Sequence, residues 1–250
     1  MSKPKILLFD IETAPAIVAT FGLFKQNIGI AQIIEDPRVL AWSAKWYKKG
    51  SVKFDSEYHS DYLTMLNGIR DLMDEADILV GYNSDSFDIP WLMGEFIANE
   101  IDPPSPSQYV DLYRVSRRNF RWISGKLDYL ARRLLDTGKV AHEGMGLWMK
   151  CIGPDGDDKD KAWRSMKRYA RQDTALLEPL FDKLLPYIRN VNFALYSGEV
   201  NACPRCASVN LQRRGEARTT ASVFQRFQCT DCGSWSRSAK RESSTNQRPL

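Results

Sequence analysis

Acidic side chains recur at three places where a strand or a helix should begin or end. The segment "FDIET" puts Asp10 and Glu12 two positions apart after an apolar run, so both project from one face of a predicted strand. The segment "GYNSDSFDIPWL" puts Asp88 where a strand gives way to a helix. In "RYARQD", Asp173 lies on a predicted helix with Tyr169 four residues earlier on the same face. Strand ends and helix starts are where sheet proteins build their sites.

Four carboxylates in one cleft repel one another, and divalent cations relieve that repulsion. Oxygen donors select hard ions such as Mg²⁺ or Mn²⁺. Two such ions about 4 Å apart support in-line displacement at phosphorus. Each acid alone also has an ordinary interpretation: Asp88 as a helix cap, or Asp173 as a solvent-facing acid. Only the set predicts metal-dependent chemistry on phosphodiesters.

The cysteines indicate a second metal. Cys203 and Cys206 form one C-x-x-C pair, Cys229 and Cys232 form another, and 22 residues separate the pairs. Four thiolates in this arrangement suit a tetrahedral structural Zn²⁺, and the segment resembles a zinc ribbon. Four ordinary thiols are the alternative. Cys151 stands alone in the apolar "LWMKCIG" and is expected to be a buried thiol.

Basic and aromatic residues alternate between and after the cysteine pairs. The arginines are Arg213, Arg214, Arg218 and Arg226, and the aromatic residues are Phe224, Phe227 and Trp235. Arginines that contact phosphates and rings that stack on bases suit single-stranded nucleic acid. Alternatively, Phe227 and Trp235 form the small core of the ribbon.

The elements that must position these groups follow from periodicity. "KILLFDI" predicts a buried strand, and residues 38–55 predict a hairpin. Further strands are expected at "DILVGYN" and "QYVDLYR", with helices at "DYLTMLNGIRDLMDEA", "IPWLMGEFIANE" and "KLDYLARRLL". Residues 153–161 read as a flexible polar loop, followed by one long helix or by two separated at Pro179. The order predicts an α/β protein with a mixed sheet and flanking helices.

The three acidic segments resemble the motifs of a known family. "FDIET", "GYNSDSFD" and "YARQD" are similar to the three motifs of the DEDD 3′–5′ exonuclease superfamily, and the nearest likeness is the proofreading domain of family-B DNA polymerases. The likeness spans about residues 5–190 and includes "GKLDYLARRLL…GKV" at 125–140. It implies a ribonuclease H-like fold. It also implies Asp10, Glu12, Asp88, Tyr169 and Asp173 as catalytic residues, with the four acids holding two Mg²⁺ or Mn²⁺.

The third motif separates two branches of that superfamily. One branch has Tyr four residues before the Asp, and the other has His five before it. Here those positions are Tyr169 and Arg168, which resembles the tyrosine branch, whose phenol helps to hold the attacking water. The likeness also suggests that Asn83 contacts substrate or steadies its loop. Phe87 is expected in the core or as a wedge under the terminal base.

Three further acids, in or between these motifs, are not assigned to the site. Asp85 lies in the same loop as Asp88, but the likeness favours Asp88 because it directly precedes the Ile-Pro-Trp start of the helix. Asp111 and Asp128 are interpreted as structural.

Charge and composition suggest the domain organisation. The 250-residue chain has a net charge of +4, but residues 201–250 alone carry nine Lys and Arg against three Asp and Glu. We expect a ribonuclease H-like exonuclease domain at 1–195, a zinc ribbon at 196–238 and a disordered basic tail at 239–250. The basic end either meets a polyanion or is a solubilising terminus.

Taken together, the sequence predicts a stand-alone 3′–5′ exonuclease that hydrolyses DNA to nucleoside monophosphates in replication, repair or recombination. Its expected partners are single-stranded DNA 3′ ends and replication or recombination proteins. An RNA exonuclease and an inactive nucleic-acid-binding adaptor are the alternatives. A zinc-ribbon transcription accessory would leave residues 1–200 unexplained. No apolar stretch reaches membrane-spanning length and no signal peptide is evident, so a cytoplasmic location is expected.

Overall fold

The structure, a computed structural model, describes residues 4–138 and 143–248. Residues 139 and 140 of the family-like segment, and residues 249 and 250 of the expected tail, lie outside this range. The strands are β1 (Ile6–Thr13), β2 (Ile17–Val18), β3 (Ile33–Glu35), β4 (Val39–Trp46), β5 (Lys53–Ser56), β6 (Ile78–Gly81), β7 (Gln108–Asp111), β8 (Leu211–Arg218), β9 (Ser222–Cys229) and β10 (Trp235–Ser244). The helices are α1 (Tyr62–Glu75), α2 (Asp88–Ala98), α3 (Leu112–Asn119), α4 (Leu127–Leu135), α5 (Met145–Cys151) and α6 (Asp157–Leu184).

A mixed sheet with the order β5-β4-β1-β6-β7 forms the centre of the larger part. β1 is antiparallel to β4 and parallel to β6, and β6 is parallel to β7. β4 and β5 pair antiparallel, which confirms the predicted hairpin. The architecture confirms the expected mixed sheet with flanking helices. Among the described helices, none has the combination of length and hydropathy that spanning a bilayer requires.

Helices cover both faces of β1, which explains its continuous apolar start. Leu7, Phe9 and Ile11 pack in a core with residues of α1 and α2. Ile6 and Leu8 pack on the other face, against the C-terminal half of α6. Because strand residues alternate between faces, Asp10 and Glu12 continue the face of Ile6 and Leu8 and project on the α6 side.

A ladder of polar contacts fixes α6 on β4. Alternate residues of the strand meet every fourth residue of the helix, since two strand residues and four helix residues both rise by about 6 to 7 Å. The contacts are a hydroxyl–hydroxyl bond of 2.5 Å, an ion pair and a phenol–carboxylate bond of 2.5 Å, formed by Ser43 with Thr174, Lys45 with Glu178, and Tyr47 with Asp182. This ladder sets which turn of α6 lies beside each residue of β4.

The start of α6 differs from the expectation. Residues 153–161 were expected to form a polar loop, but α6 begins at Asp157, and it continues through Pro179 as one helix. Asp157, Asp158 and Asp160 lie in the first turn, where their charges favour the positive end of the helix dipole. The polar composition therefore reflects an exposed helix start.

The segment 239–250, which was expected to be a disordered tail, begins within a strand. β10 continues to Ser244, which pairs with Ser222 of β9, and the N–H of Thr245 donates to the carbonyl of Ala221 at 3.0 Å. The side chains are polar, but the order of this segment comes from backbone hydrogen bonds to β9. The sheet of the ribbon therefore extends beyond residue 238.

Candidate active site and metal centre

The second acidic segment is attached directly to the first. Asp88 is the first residue of α2, and its Oδ1 accepts a hydrogen bond of 3.0 Å from the N–H of Ile11. Ile11 lies between Asp10 and Glu12. The pairing of β6 with β1 ends at Leu8, which leaves the edge of β1 open for this contact. The bond places the start of α2 beside the acidic end of β1.

The third acidic segment lies on α6, and a contact with β4 links it to the same end of β1. Asp10 is the register partner of Ser43, whose hydroxyl donates to the carbonyl of Ala170 at 2.9 Å. Ala170 lies between Tyr169 and Asp173 on α6. The five residues predicted to be catalytic therefore come from β1, α2 and α6, which meet at one end of the sheet.

The environment of Tyr169 reflects this convergence. Burial first, and then the negative charges of Asp173, Glu12 and Asp10, raise the pKa of the Tyr169 hydroxyl above its ordinary value. The hydroxyl therefore keeps its proton at neutral pH. The ring meets Trp148 of α5 edge-on, with centroids 5.9 Å apart, so its orientation is fixed by packing.

Three of the four acids are almost completely buried. Glu12 is 8% exposed, Asp88 is 3% exposed and Asp173 is 1% exposed. Burial raises the pKa of Asp88 to about 7, despite the stabilising backbone N–H of Ile11. Buried anions of one sign need compensation, and an all-oxygen donor set fits Mg²⁺ or Mn²⁺.

Among the described residues, these carboxylates do not form a group of three with oxygens within 4.8 Å of one another. The pair of Mg²⁺ or Mn²⁺ that the four acids are expected to hold therefore stays a prediction.

The loop before α2 is unusually tight. A Cβ added to Gly81 would lie 2.5 Å from the Cβ of Ser84, which is itself buried, so glycine is required there. Asn83 has a φ of 64°, and its N–H donates to Asp111 Oδ1 at 2.9 Å. Phe87 is 39% exposed, which places it outside the core. Contacts of Asn83 and Phe87 with substrate stay a prediction.

The two aspartates of this loop have different partners. Asp85 forms an ion pair of 3.1 Å with Arg114 on α3. Asp88, in contrast, contacts β1 between the first two acids. This difference favours Asp88 as the member of the carboxylate set.

Asp111 holds the loop from the neighbouring strand. It ends β7, is 4% exposed and accepts hydrogen bonds from the N–H groups of Tyr113 and Arg114 at the start of α3. With the bond to Asn83, its Oδ1 accepts three N–H groups. The sequence signal for this role is an Asp between a strand and a helix, typical of an N-cap.

The role of Asp111 can be tested with two substitutions. Asp111→Asn keeps the accepting oxygen, whereas Asp111→Ala leaves three N–H groups without it. We expect Asp111→Ala to lower the free energy of unfolding by about 1 to 3 kcal/mol and Asp111→Asn to lower it by less. Denaturant unfolding measures both values. Equal losses in the two variants would show that the charge, rather than the cap, matters.

The cysteine pairs form the metal cluster expected from the sequence. The sulfurs of Cys203 and Cys232 are 3.7 Å apart, and those of Cys206 and Cys229 are 3.6 Å apart. All four sulfurs lie within 4.8 Å of one another. Tetrahedral zinc with bonds of 2.3 Å separates its sulfurs by about 3.8 Å, so the cluster fits structural Zn²⁺.

Cys151 lies apart from that cluster. It is fully buried, and burial followed by the charge of Glu12 raises the pKa of its thiol to about 12. As expected, it is a packing residue.

The two cysteine turns have the same backbone design. Four residues after the first cysteine of each pair, Ala207 and Gly233 adopt φ angles of 61° and 71°. Their N–H groups donate to the carbonyls of Cys203 and Cys229 at 2.8 and 3.0 Å. Glycine adopts this left-handed conformation freely, but alanine is strained in it.

This difference predicts opposite effects in the two turns. Ala207→Gly removes about 1 kcal/mol of strain, and Gly233→Ala adds a similar amount. We expect zinc release to slow about fivefold in the first variant and to accelerate about fivefold in the second. A zinc-responsive dye in excess measures both rates. Identical rates in wild type and both variants would contradict the strain at Ala207.

The predicted nucleic-acid-binding arginines do not share one surface. Arg213 and Arg218 pair with Phe227 and Val223, on one face of β9. Arg226 lies on the other face, because it is separated from Phe227 by one position. Arg214 lies at the bulge of β8, between Arg213 and Glu216.

The comparisons with known proteins concern the larger part of the chain. A family model of the RNase H superfamily matches residues 7–185. Among solved structures, the chain is similar to the family B DNA polymerase from the hyperthermophilic archaeon Pyrobaculum calidifontis, with a TM-score of 0.56 and 18% sequence identity. That alignment covers 90% of this chain and 33% of the polymerase chain, and at this identity the likeness is one of fold. A search of curated protein sequences finds no match.

The range of the family match includes every residue of the carboxylate set, from Asp10 to Asp173. The mixed sheet, the acids at one end of its central strand and the match to the RNase H superfamily agree with a nuclease or phosphodiester hydrolase. This chain belongs to the RNase H superfamily.

Proposed function

We propose that the protein is a 3′–5′ exonuclease that hydrolyses DNA from its 3′ end and releases nucleoside monophosphates. The observation that carries the proposal is the hydrogen bond from Ile11 N–H to Asp88, which joins the acids of β1 and α2 while α6 brings Asp173 to the same end. The motif resemblance and the membership of the RNase H superfamily support it. Asp10, Glu12, Asp88 and Asp173 would hold two Mg²⁺ or Mn²⁺.

The ions, when bound, supply activation of water and stabilisation of the leaving oxygen. The protein's own residues orient the reactants. Tyr169 retains its proton, so it does not act as a base, and its hydroxyl would hold the attacking water by a hydrogen bond. Asn83 and the exposed ring of Phe87 border the start of α2, where they would steady the terminal nucleotide.

The zinc ribbon complements this site. Structural zinc keeps the small domain folded, and the excess of positive charge in residues 201–250 attracts a polyanion. We propose that the ribbon contacts the single strand whose 3′ end is degraded. Replication or recombination proteins are its further proposed partners.

A degradation ladder tests the reaction and its polarity. DNA and RNA 20-mers of one sequence, each labelled at the 5′ end, are incubated with Mg²⁺, with Mn²⁺ or without a divalent ion. We expect single-nucleotide shortening of the labelled DNA only with metal, at a higher rate than for RNA. Faster shortening of RNA would make the protein an RNA exonuclease. Binding without hydrolysis in any metal would contradict catalysis and favour a binding adaptor.

A further inference from the structure

The strand register of the ribbon gathers a set of arginines and aromatic rings on one face. Phe224 and Arg226 project from the same face of β9 because they are two positions apart. On β10, Arg237 is the register partner of Arg226, and Arg241 is the partner of Phe224. Trp235 pairs with Gln228 and so shares this face. We call these five residues the arginine face.

Within the arginine face, cations lie on rings. The guanidinium of Arg226 is 5.1 Å from the ring centre of Trp235, and that of Arg237 is 3.7 Å from the ring centre of Phe224. Arg226 also donates through Nε to the carbonyl of Arg214 at 2.9 Å. A Cβ on Gly215 would lie 3.6 Å from the Arg226 guanidinium, an ordinary contact distance, so the bulge of β8 lies directly beside this side chain. These contacts restrict the positions of the two guanidinium groups.

The charge of this face is uncompensated. In the part of the chain that the structure describes, Arg226, Arg237 and Arg241 have no carboxylate within 4.0 Å. On the opposite face, Arg218 is paired with Glu216 at 2.5 Å. Trp235 is 50% exposed, which leaves an aromatic surface beside the charges. Free cations suit phosphates, and an exposed ring suits an unpaired base.

We propose that the arginine face is the nucleic-acid-binding surface of the ribbon, and that it holds a single strand through phosphate contacts and stacking on Trp235. This inference rests on the proposed function, because it assigns the strand held here to the substrate of the nuclease site. It adds Arg237 and Arg241 to the nucleic-acid contacts expected from the sequence. It also separates Arg226 from Arg213 and Arg218, which face the other way.

The attachment of the ribbon indicates which part of the strand it holds. The N–H of Phe193 donates to the carbonyl of Pro204 at 2.9 Å, and Ala207 packs against the core that contains Ile6. Ile6 is at the opposite end of β1 from Asp10 and Glu12. From Ile6 to Asp10, β1 spans about 13 Å at about 3.3 Å per strand residue. Since the first cysteine turn packs on this core, we expect the arginine face to hold nucleotides several positions from the cleaved end.

Strand length therefore separates the ribbon from the nuclease site. The probes are dT4, too short to reach the arginine face, and dT20. Arg226→Ser/Arg237→Ser is expected to raise the KM for dT20 about tenfold relative to the KM for dT4. The dependence of dT20 binding on salt should also weaken, by about 1.4 units of logarithmic slope, since two phosphate contacts are lost and each contributes about 0.7 on a single strand. The matched variant Arg213→Ser/Arg218→Ser removes the same charge from the opposite face and should stay closer to wild type in both measurements.

A third variant separates stacking from charge. Trp235→Ala is expected to weaken dT20 binding about tenfold while the salt slope stays that of wild type. Fluorescence anisotropy of labelled dT20, without divalent ions and without chelator, measures binding in the full zinc-loaded chain. Equal losses in the two double variants, or no loss in either, would overturn the inference. An acidic protein would then be the better candidate for binding the arginine face. Binding that depends on this face without any hydrolysis would overturn only the exonuclease proposal.

Discussion

Asp173→Asn is expected to lower the rate of metal-dependent DNA hydrolysis by about three orders of magnitude, because a ligand worth several kcal/mol of transition-state stabilisation is lost. The side chain is 1% exposed on α6, one helical turn from Tyr169 and beside the strand that carries Asp10. The amide keeps the shape of the carboxylate but lacks the charge that holds a cation. Single-turnover hydrolysis of a 5′-labelled strand measures the loss.

Folding and metal binding of this variant must be followed separately. Burying a neutral amide costs less than burying a carboxylate among other acids, so metal-free Asp173→Asn is expected to melt no lower than the metal-free wild type. Mg²⁺ should raise the Tm of the wild type more than that of the variant. Asp85→Asn removes an acid of the α2 loop that pairs with Arg114 and is the matched control, with activity near wild type. A folded Asp173→Asn with undiminished activity would remove this residue from the site.

Cys229→Ser is expected to abolish the folded ribbon while the larger part of the chain stays folded. Zinc contributes about 10 to 16 kcal/mol to such small domains, and the three-stranded sheet has little apolar core to replace it. The nuclease part has its own cores on both sides of β1, so it does not depend on the cluster. We expect bound zinc to fall from one ion per chain to none.

Two measurements check this expectation. Elemental analysis gives the zinc content, and an amide NMR spectrum shows whether the signals of residues 201–248 lose their dispersion. Cys151→Ala is the control. Cys151 is buried and does not belong to the cluster, so this substitution should leave one zinc bound. A Cys229→Ser protein with one bound zinc and an unchanged spectrum would contradict a four-sulfur site.

Local patterns were sufficient to predict the elements that carry the acids. The i, i+2 spacing of Asp10 and Glu12 and the i, i+4 spacing of Tyr169 and Asp173 each follow from a single strand or helix. Their arrangement in space depends on contacts between distant residues. The bond from Ile11 to Asp88 spans 77 positions, and the bond from Ser43 to Thr174 spans 131. No spacing along the chain reveals such contacts.

The sequence was also insufficient to predict which residues share a face of the ribbon. The sequence groups Arg213, Arg214, Arg218 and Arg226 by composition, but the sheet divides them between faces. The division depends on the register of β8, β9 and β10 and on one extra residue in β8 between Arg213 and Glu216. Polar composition also suggested disorder after residue 238, whereas pairing with β9 orders the chain to Ser244. Both differences arise because backbone pairing is set by partners elsewhere in the sheet.

Anomalous diffraction would test most directly whether the four acids form a metal site. The crystals are soaked in Mn²⁺ together with thymidine 5′-monophosphate, the expected product of cleavage at a 3′-terminal thymidine. Two peaks about 4 Å apart among Asp10, Glu12, Asp88 and Asp173, near the Tyr169 hydroxyl, are the expected result. A map with nucleotide bound and no manganese among these four carboxylates would contradict the proposed nuclease mechanism.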